Sequence, residues 1–150
     1  MSAFADTSYI CALHVPLDHT PKAIQWQGRQ RSAILITGLV VYEFRQSVRL
    51  QIFRHRNDKT SGFSLRTGDA AVAQFESNLA AGAFTVAPVD WADVLDRAER
   101  ISAKHTVASG HRSMDVLHAA SAQHLGVKQF LSFDLRQRDL ATALGFETVP

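Results

Sequence analysis

Four acidic side chains occur at positions from which a folded chain could bring them to one site. Asp6 and Asp134 each follow a short apolar segment and precede the expected start of a helix. Glu43 and Asp115 lie in the first turns of two further expected helices. Because crowded carboxylates raise one another's pKa unless a cation compensates their charge, this pattern indicates a divalent-cation site. Carboxylate oxygens and waters are the ligands that Mg²⁺ and Mn²⁺ prefer.

The chemistry that such a site supports is hydrolysis of a phosphodiester bond. A carboxylate-held Mg²⁺ or Mn²⁺ ion makes hydroxide more available, orients the phosphate and offsets charge on the leaving oxygen. Cys11 is the single cysteine, which excludes an internal disulfide and a thiolate-rich zinc centre. A net charge of +2 understates how basic the remaining surface is if several acids surround a cation.

Each acid also has an ordinary structural interpretation. Asp6 and Asp134 could cap the helices that follow them, and Asp115 gains from the dipole of its own helix. Glu43 lies among apolar neighbours and could be a buried acid paired with an arginine of the same helix, Arg45 or Arg49. The presence of all four acids in this order favours the metal site over four separate structural roles.

The elements that must position these acids alternate between strands and helices. Short apolar runs predict strands at 3–5, 33–36, 83–87, 129–132 and 146–149. Loops are predicted at 61–67 and 104–112. Helices are predicted after Asp6 and Pro21, from Thr37 as cap to Arg56, from Gly68 to the stop at Gly82, from Asp90 past Ile101, from Ser113 to Leu125 and from Leu135 to Leu144.

Short apolar strands separated by helices require right-handed crossovers. They predict a single α/β domain whose central parallel sheet, of about five strands, carries helices on both faces. In such sheets functional residues lie at the carboxyl ends of the strands, so Asp6 and Asp134 should open onto the same edge.

Four segments of the chain resemble PIN domains of the VapC toxin group. The segments are Asp6-Thr7-Ser8, Val40-Val41-Tyr42-Glu43, Met114 to Ala122 and Leu131 to Gln137, followed by Leu140-Ala141 and Gly145. They occur in the expected order over nearly the whole chain. The most specific parts are the helix with Asp-x-x-His-x-Ala and the strand that ends in Phe-Asp. The stretch from about Arg54 to Thr67 contains no matching motif, and the first strand is unusually rich in alanine.

The resemblance implies a PIN domain over residues 1–150 and a Mg²⁺- or Mn²⁺-dependent endoribonuclease. Asp6, Glu43 and Asp115 match the acidic triad of the family, and Asp134 matches its fourth, more variable acidic position. Ser8 matches a hydroxyl that supports the site. The resemblance further implies a toxin that commonly forms a homodimer and is held inactive by a small antitoxin, a VapB-like protein whose C-terminal segment lies across the active groove.

Roles are also predicted for two residues close to the acids in the sequence. Arg112 immediately precedes the helix of Asp115 and could reach a scissile RNA strand. His118 is more often, at such a position, a packed and hydrogen-bonded core histidine than a metal ligand.

Surface residues elsewhere favour ordinary structural roles. Arg45, Arg49 and Arg56 recur at near-helical spacing and could track an RNA backbone, although a solvated helix face is the commoner meaning. Trp26 and Trp91 could stack on unpaired bases, but burial in a core or an interface is favoured for both.

Two other classes of function remain open on the sequence. The fold could be a catalytically silent module that binds RNA or a partner protein, although intact acids at all four positions weigh against it. A phosphoryl-transfer enzyme with Asp6 as nucleophile lacks a second aspartate two residues later and an obvious phosphate lysine. No apolar stretch long enough for a bilayer and no secretory signal is recognised, so a cytoplasmic protein without a membrane partner is expected.

Overall fold

The computed structural model describes residues 2–31 and 33–150, and within these ranges it contains one five-stranded parallel sheet. The strands pair in the order β3-β2-β1-β4-β5. Their bounds are β1 Ala3–Ala5, β2 Ile34–Ile36, β3 Phe84–Val86, β4 Gln129–Leu131 and β5 Glu147–Val149. The predicted α/β class, parallel pairing and strand number are thereby confirmed.

Helices connect consecutive strands and pack in two groups. The bounds are α1 Thr7–His14, α2 Thr20–Gln27, α3 Gly38–Asn57, α4 Leu65–Ala80, α5 Trp91–Ile101, α6 Val107–Ser109, α7 Ser113–His124 and α8 Leu135–Ala143. Helix α1 contacts α2, α3 and α4, α3 contacts α4, and α7 packs against both α5 and α8. The chain moves across the sheet in one direction from β1 to β3 and in the other from β3 to β5, so right-handed crossovers place the two groups on opposite faces.

The strand order reverses between β1 and β4, which are hydrogen-bonded neighbours at the centre of the sheet. Ala5 is in register with Leu131, and the backbone N–H of Asp6 donates to the carbonyl of Leu131 at 3.1 Å. Crossovers leave these two strands toward opposite faces, so a crevice opens at their carboxyl ends. The chain after β1 and the chain after β4 therefore emerge side by side.

The alanine-rich first strand suits its central position. Ala3, Phe4 and Ala5 are all buried, and Phe4 packs against Phe130 of β4 with ring centroids 5.5 Å apart. Small side chains on both sides of Phe4 allow helices to approach the sheet closely. The three-residue strand is stabilised by burial and by pairing on both edges.

Helix α4 begins earlier than predicted, and Gly68 does not open it. Ser64 is the N-cap, with its hydroxyl accepting from the backbone N–H of Thr67 at 3.2 Å. Gly68 lies inside the helix, where a Cβ atom would stand 2.5 Å from Cδ1 of Ile52 in α3. The glycine permits close packing of α3 on α4, a tertiary reason that local pattern does not reveal.

The predicted loop over 104–112 is also wrong for most of its length. After α5 the chain continues as a π-helical turn, Ser102–Thr106, and then as α6, and it stops at Gly110 with a positive φ of 70°. The inserted π turn keeps the backbone helical as far as the glycine, which can adopt the left-handed conformation. Only 110–112 remain irregular before α7.

Thr37 occupies the predicted N-cap position of α3 but does not cap through its side chain. Its hydroxyl is buried and has no hydrogen-bond partner among the described residues.

Among residues 2–31 and 33–150, no helix combines the length and the apolar character needed to cross a bilayer.

His14 is a buried titratable group in the core formed by α1, α3 and α4. Its ring packs edge-on against Phe44 and Phe75. Nδ1 lies 2.7 Å from the carbonyl of Ile10, and Nε2 lies 2.8 Å from Nδ2 of Asn78. A neutral ring with its proton on Nδ1 satisfies both contacts. Burial lowers the pKa of His14, and the bond to Ile10 offsets only part of that effect.

We expect His14 to make the fold less stable in mild acid. The unfolded chain binds a proton on this histidine near pH 6.5, while the folded chain resists it, so the free energy of unfolding should fall as pH drops below about 6.5. His14→Phe and His14→Gln should both flatten this dependence in urea titrations between about pH 7 and pH 5. Slopes equal to that of the wild-type protein in both variants would contradict the assignment.

Candidate active site

Asp6 lies at the crevice between β1 and β4, and its carboxylate accepts hydrogen bonds from both strand ends. Oδ1 accepts from the hydroxyl of Ser8 at 2.7 Å and from the backbone N–H of Tyr9 at 3.0 Å. Oδ2 accepts from the hydroxyl of Ser132 at 2.6 Å. Asp6 is therefore both the N-cap of α1 and a buried acid at the crevice.

Burial raises the pKa of Asp6, and the hydrogen bonds from Ser132 and Ser8 offset only part of that rise. Burial disfavours the charged form of the carboxylate, and a nearby cation would offset that effect. The environment of Asp6 is thus suited to a positively charged ligand.

Ser8 and Ser132 fix the loop that follows β4 as well as the Asp6 carboxylate. The Ser8 hydroxyl accepts from the backbone N–H groups of Phe133 at 2.9 Å and Asp134 at 3.3 Å. The hydroxyl of Ser132, which is fully buried, accepts from the N–H of Asp134 at 3.1 Å. Sequence reasoning singled out Ser8 but missed Ser132, although a serine at the end of a buried strand was an available signal.

Glu43 reaches the crevice from α3 and is held by two side chains from other elements. Its Oε2 accepts from the hydroxyl of Thr7 and lies 2.6 Å from Nε2 of His118. Burial alone would raise the pKa of Glu43, but the hydrogen bonds from His118 and Thr7, with the charges of His118 and Arg112, lower it overall. Among the described residues Glu43 forms no ion pair within its own helix, and Arg45 pairs instead with Glu76 of α4.

His118 is buried, as expected of a core histidine, and its ring contacts one of the four acids. Nε2 contacts Glu43, while Nδ1 is buried without a hydrogen-bond partner among the described residues. The Nε2–H tautomer is the one that can donate to the carboxylate. Helix α7 can approach the sheet closely because the side chains of Ala119 and Ala122, which are both fully buried, are small.

Arg112 joins the remaining two acids. Its Nε donates to Oδ2 of Asp115 at 2.9 Å, and its Nη2 donates to Oδ1 of Asp115 at 3.3 Å and to Oδ2 of Asp134 at 2.9 Å. Asp134 also caps α8, since its Oδ1 accepts from the N–H of Arg136 at 2.9 Å and of Gln137 at 3.2 Å. The capping and site interpretations of Asp134 are therefore compatible.

Contacts at the carboxyl edge of the sheet join the four acids in two sets. Asp6, Asp134 and Asp115 are linked through Ser132 and Arg112, whereas Glu43 is held by Thr7 and His118. Within residues 2–31 and 33–150, however, no group of three or more His, Cys, Asp or Glu side chains is already arranged to hold an ion. The guanidinium of Arg112 lies against two of the acids, and His118 holds a third. The donor set nevertheless fits a hard cation, because it consists of carboxylate oxygens and hydroxyls with more negative charge than Arg112 offsets.

Comparison with protein families identifies the fold. The family model of the PIN domain matches residues 3–143. The chain belongs to the PIN-domain family. The resemblance noted from the sequence motifs is thereby confirmed at the level of the family, and no curated protein matches the chain.

Two solved structures show how far this PIN domain shares its architecture. VapC20 of Mycobacterium tuberculosis, described as a toxin that cleaves the sarcin-ricin loop, aligns with a TM-score of 0.68 and 21% identity over 98% of both chains. The protein PAE2754 of Pyrobaculum aerophilum aligns with a TM-score of 0.57 and 19% identity over 99% of this chain and 90% of that one. At these identities the likeness concerns the fold.

The hydroxyl of Ser132 should contribute measurably to stability. Ser132→Ala leaves one oxygen of the buried Asp6 carboxylate without its donor, which should cost about 1–3 kcal/mol of unfolding free energy. Ser121→Ala is a matched control, because Ser121 is also fully buried but bonds only to the carbonyl of Leu117 in its own helix. That control should cost less stability than Ser132→Ala in urea denaturation, because a serine that bonds back to its own helix slightly destabilises that helix. Equal losses in the two variants would contradict the role given to Ser132.

Proposed function

We propose that this PIN domain is an endoribonuclease that hydrolyses RNA phosphodiester bonds with Mg²⁺ or Mn²⁺ held by Asp6, Glu43, Asp115 and Asp134. The observation that carries the proposal is the set of contacts around the crevice between β1 and β4. Ser132 donates to Asp6 and accepts from the N–H of Asp134, and Arg112 bridges Asp134 and Asp115. Glu43 accepts from the hydroxyl of Thr7, the residue after Asp6. The PIN family and the likeness to a toxin described as cleaving the sarcin-ricin loop support RNA as the substrate.

The side chains around the acids prepare them for this role. Ser8 and Ser132 hold both oxygens of Asp6, which together with Asp115 we assign as the innermost ligand pair. Thr7 and His118 both contact Oε2 of Glu43, so Oε1 is the oxygen that these two residues leave for a ligand or a bound water. Bound to these oxygens, the ion would supply Lewis-acid stabilisation of the phosphate and an activated water.

Arg112 has two successive roles in this proposal. Its guanidinium offsets the charge of Asp115 and Asp134. A divalent ion held by those acids would compensate the same charge, and the Arg112 side chain, which is 58% exposed, would then be available to an RNA phosphate. A guanidinium binds phosphate oxygens with the same paired geometry that it uses for a carboxylate.

We further propose that the protein is the toxin of a toxin-antitoxin pair and acts in the cytosol on cellular RNA. Support comes from the motif resemblance to the VapC group and from the fold shared with VapC20 over 98% of both chains. A small VapB-like antitoxin and a second copy of the chain are the partners that this assignment implies.

Removal of either inner acid should abolish activity. Asp6→Asn and Asp115→Asn keep the side-chain shape but remove a charged ligand, so Mn²⁺-dependent cleavage should fall by more than about 100-fold, beyond the effect usual for outer-shell partners. Cleavage is measured on labelled single-stranded RNA, and Mn²⁺ binding is measured by calorimetry. Asp139→Asn, an exposed acid on α8, is the control and should match the wild-type protein.

Two results would refute the proposal. One is a wild-type protein that cuts no RNA with Mn²⁺, and the other is cleavage that survives either substitution. A protein that binds RNA but gives no heat with Mn²⁺ would instead indicate the catalytically silent binding module.

Arg112→Gln should separate metal binding from cleavage. Loss of the competing positive charge should tighten Mn²⁺ binding by about two- to fivefold, the range expected for largely exposed ion pairs. Loss of the phosphate contact should lower cleavage by more than about tenfold. Arg136→Gln is the matched control, since Arg136 is exposed at the same edge but bonds to the carbonyl of Gly110. Unchanged or weaker Mn²⁺ binding in Arg112→Gln would exclude the proposed competition.

A further inference from the structure

Three aromatic rings form a stacked column that runs from the core to the surface beside the active site. Phe133 lies parallel to Tyr9, with an interplanar angle of 4° and centroids 6.0 Å apart. His19 lies on Phe133 at 4.8 Å and 8°. Tyr9 is fully buried, Phe133 is half-buried and His19 is exposed. The column therefore ends in an imidazole at the protein surface.

The buried end of the column is held rigidly. The Tyr9 hydroxyl donates to Oε1 of Gln27 at 2.9 Å, and Trp26 packs edge-on against the Tyr9 ring at 5.9 Å and 85°. The backbone N–H of Phe133 donates to the hydroxyl of Ser8. These contacts fix the orientation of the column without any ligand, which lowers the entropy cost of stacking a further ring on it.

The middle ring of the column belongs to the loop that carries Asp134. Phe133 stands in the chain between Ser132, which donates to Asp6, and Asp134, which pairs with Arg112. His19 is the residue before α2, and its side chain does not cap that helix. The imidazole is thus stacked on a residue of the loop that follows β4 and has no capping role.

We propose that the exposed end of this column, His19 supported by Phe133, is a subsite that stacks an unpaired nucleobase of the RNA next to the cleavage position. The inference rests on the proposed ribonuclease function and extends it by assigning a contact for the substrate base. Every nucleobase offers a π face, so stacking on aromatic rings suits single-stranded RNA and tolerates different sequences. A ring that continues a parallel column can accept one more ring at the next stacking position.

The kinetic test uses four versions of the full-length protein. His19→Ala and His19→Gln remove the ring, and His19→Gln retains a polar side chain; His19→Phe retains a flat ring without the imidazole nitrogens. Stacking predicts that KM for single-stranded RNA rises about tenfold in the first two, within the roughly 5- to 150-fold range for loss of one stacked base. The value of kcat should not change, and His19→Phe should keep a KM near that of the wild-type protein.

A direct readout of stacking uses short single-stranded RNA in which 2-aminopurine replaces one base at a time. Asp115→Asn serves as background so that the RNA remains intact. Fluorescence should be quenched on binding at one position, and this additional quenching should disappear with His19→Ala and return with His19→Phe. Thermal unfolding of each variant shows whether a lost signal reflects a lost fold, and Phe133→Leu, which keeps His19 but breaks the column, should weaken the quenching.

The outcomes separate this inference from the proposed function. If the wild-type protein cleaves RNA and His19→Ala has the same KM and the same quenching, the subsite is refuted while the ribonuclease stands. Full affinity in His19→Gln would assign the contact to hydrogen bonding and refute stacking. A third result is a protein that cleaves no RNA while quenching at one RNA position still requires an aromatic side chain at residue 19. That result would refute the proposed ribonuclease function and support the base subsite.

Discussion

The buried carboxylate of Asp6 ties the end of the first strand to the end of the fourth, and the crevice is organised around it. A charge removed from water at this seam is tolerated only if donors surround it, because an unpaired buried carboxylate is strongly destabilising. The donors come from both chain segments: Ser8 and the Tyr9 N–H on one side, and Ser132 on the other. The reversal of strand order places these segments together.

The charges of the other three acids are compensated by basic side chains. Arg112 bridges Asp115 and Asp134, and His118 holds Glu43, so each of these three acids has a basic partner. The partners differ in kind. His118 is buried and constrained, whereas Arg112 is largely exposed and can leave its acids at small cost. The arrangement combines a buried part, which orients carboxylate oxygens, with an exposed cation beside Asp115 and Asp134.

The differences from the predicted elements have a clear tertiary cause at one position. Gly68 resembled a helix start, but it is a contact point that lets α4 lie against Ile52 of α3. There, packing between distant elements selected a role other than the one that residue type indicated. The segment before Gly110 resembled a loop, but a π turn continues the helix to the glycine. Thr37 has the residue type of a cap and leaves its hydroxyl buried without a partner in the described chain.

The sequence by itself determined the alternation of strands and helices, the parallel sheet and the positions of the four acids at element ends. These features follow from apolar periodicity and capping residues, which act between neighbours in the chain. Only the tertiary structure decided which groups meet those acids, since Ser132 is 126 residues from Asp6 and His118 is 75 from Glu43. It also decided that His19 and Phe133 form a column beside the acids. Such contacts depend on the side to which each crossover turns and on how closely helices pack, and local pattern does not encode these distances.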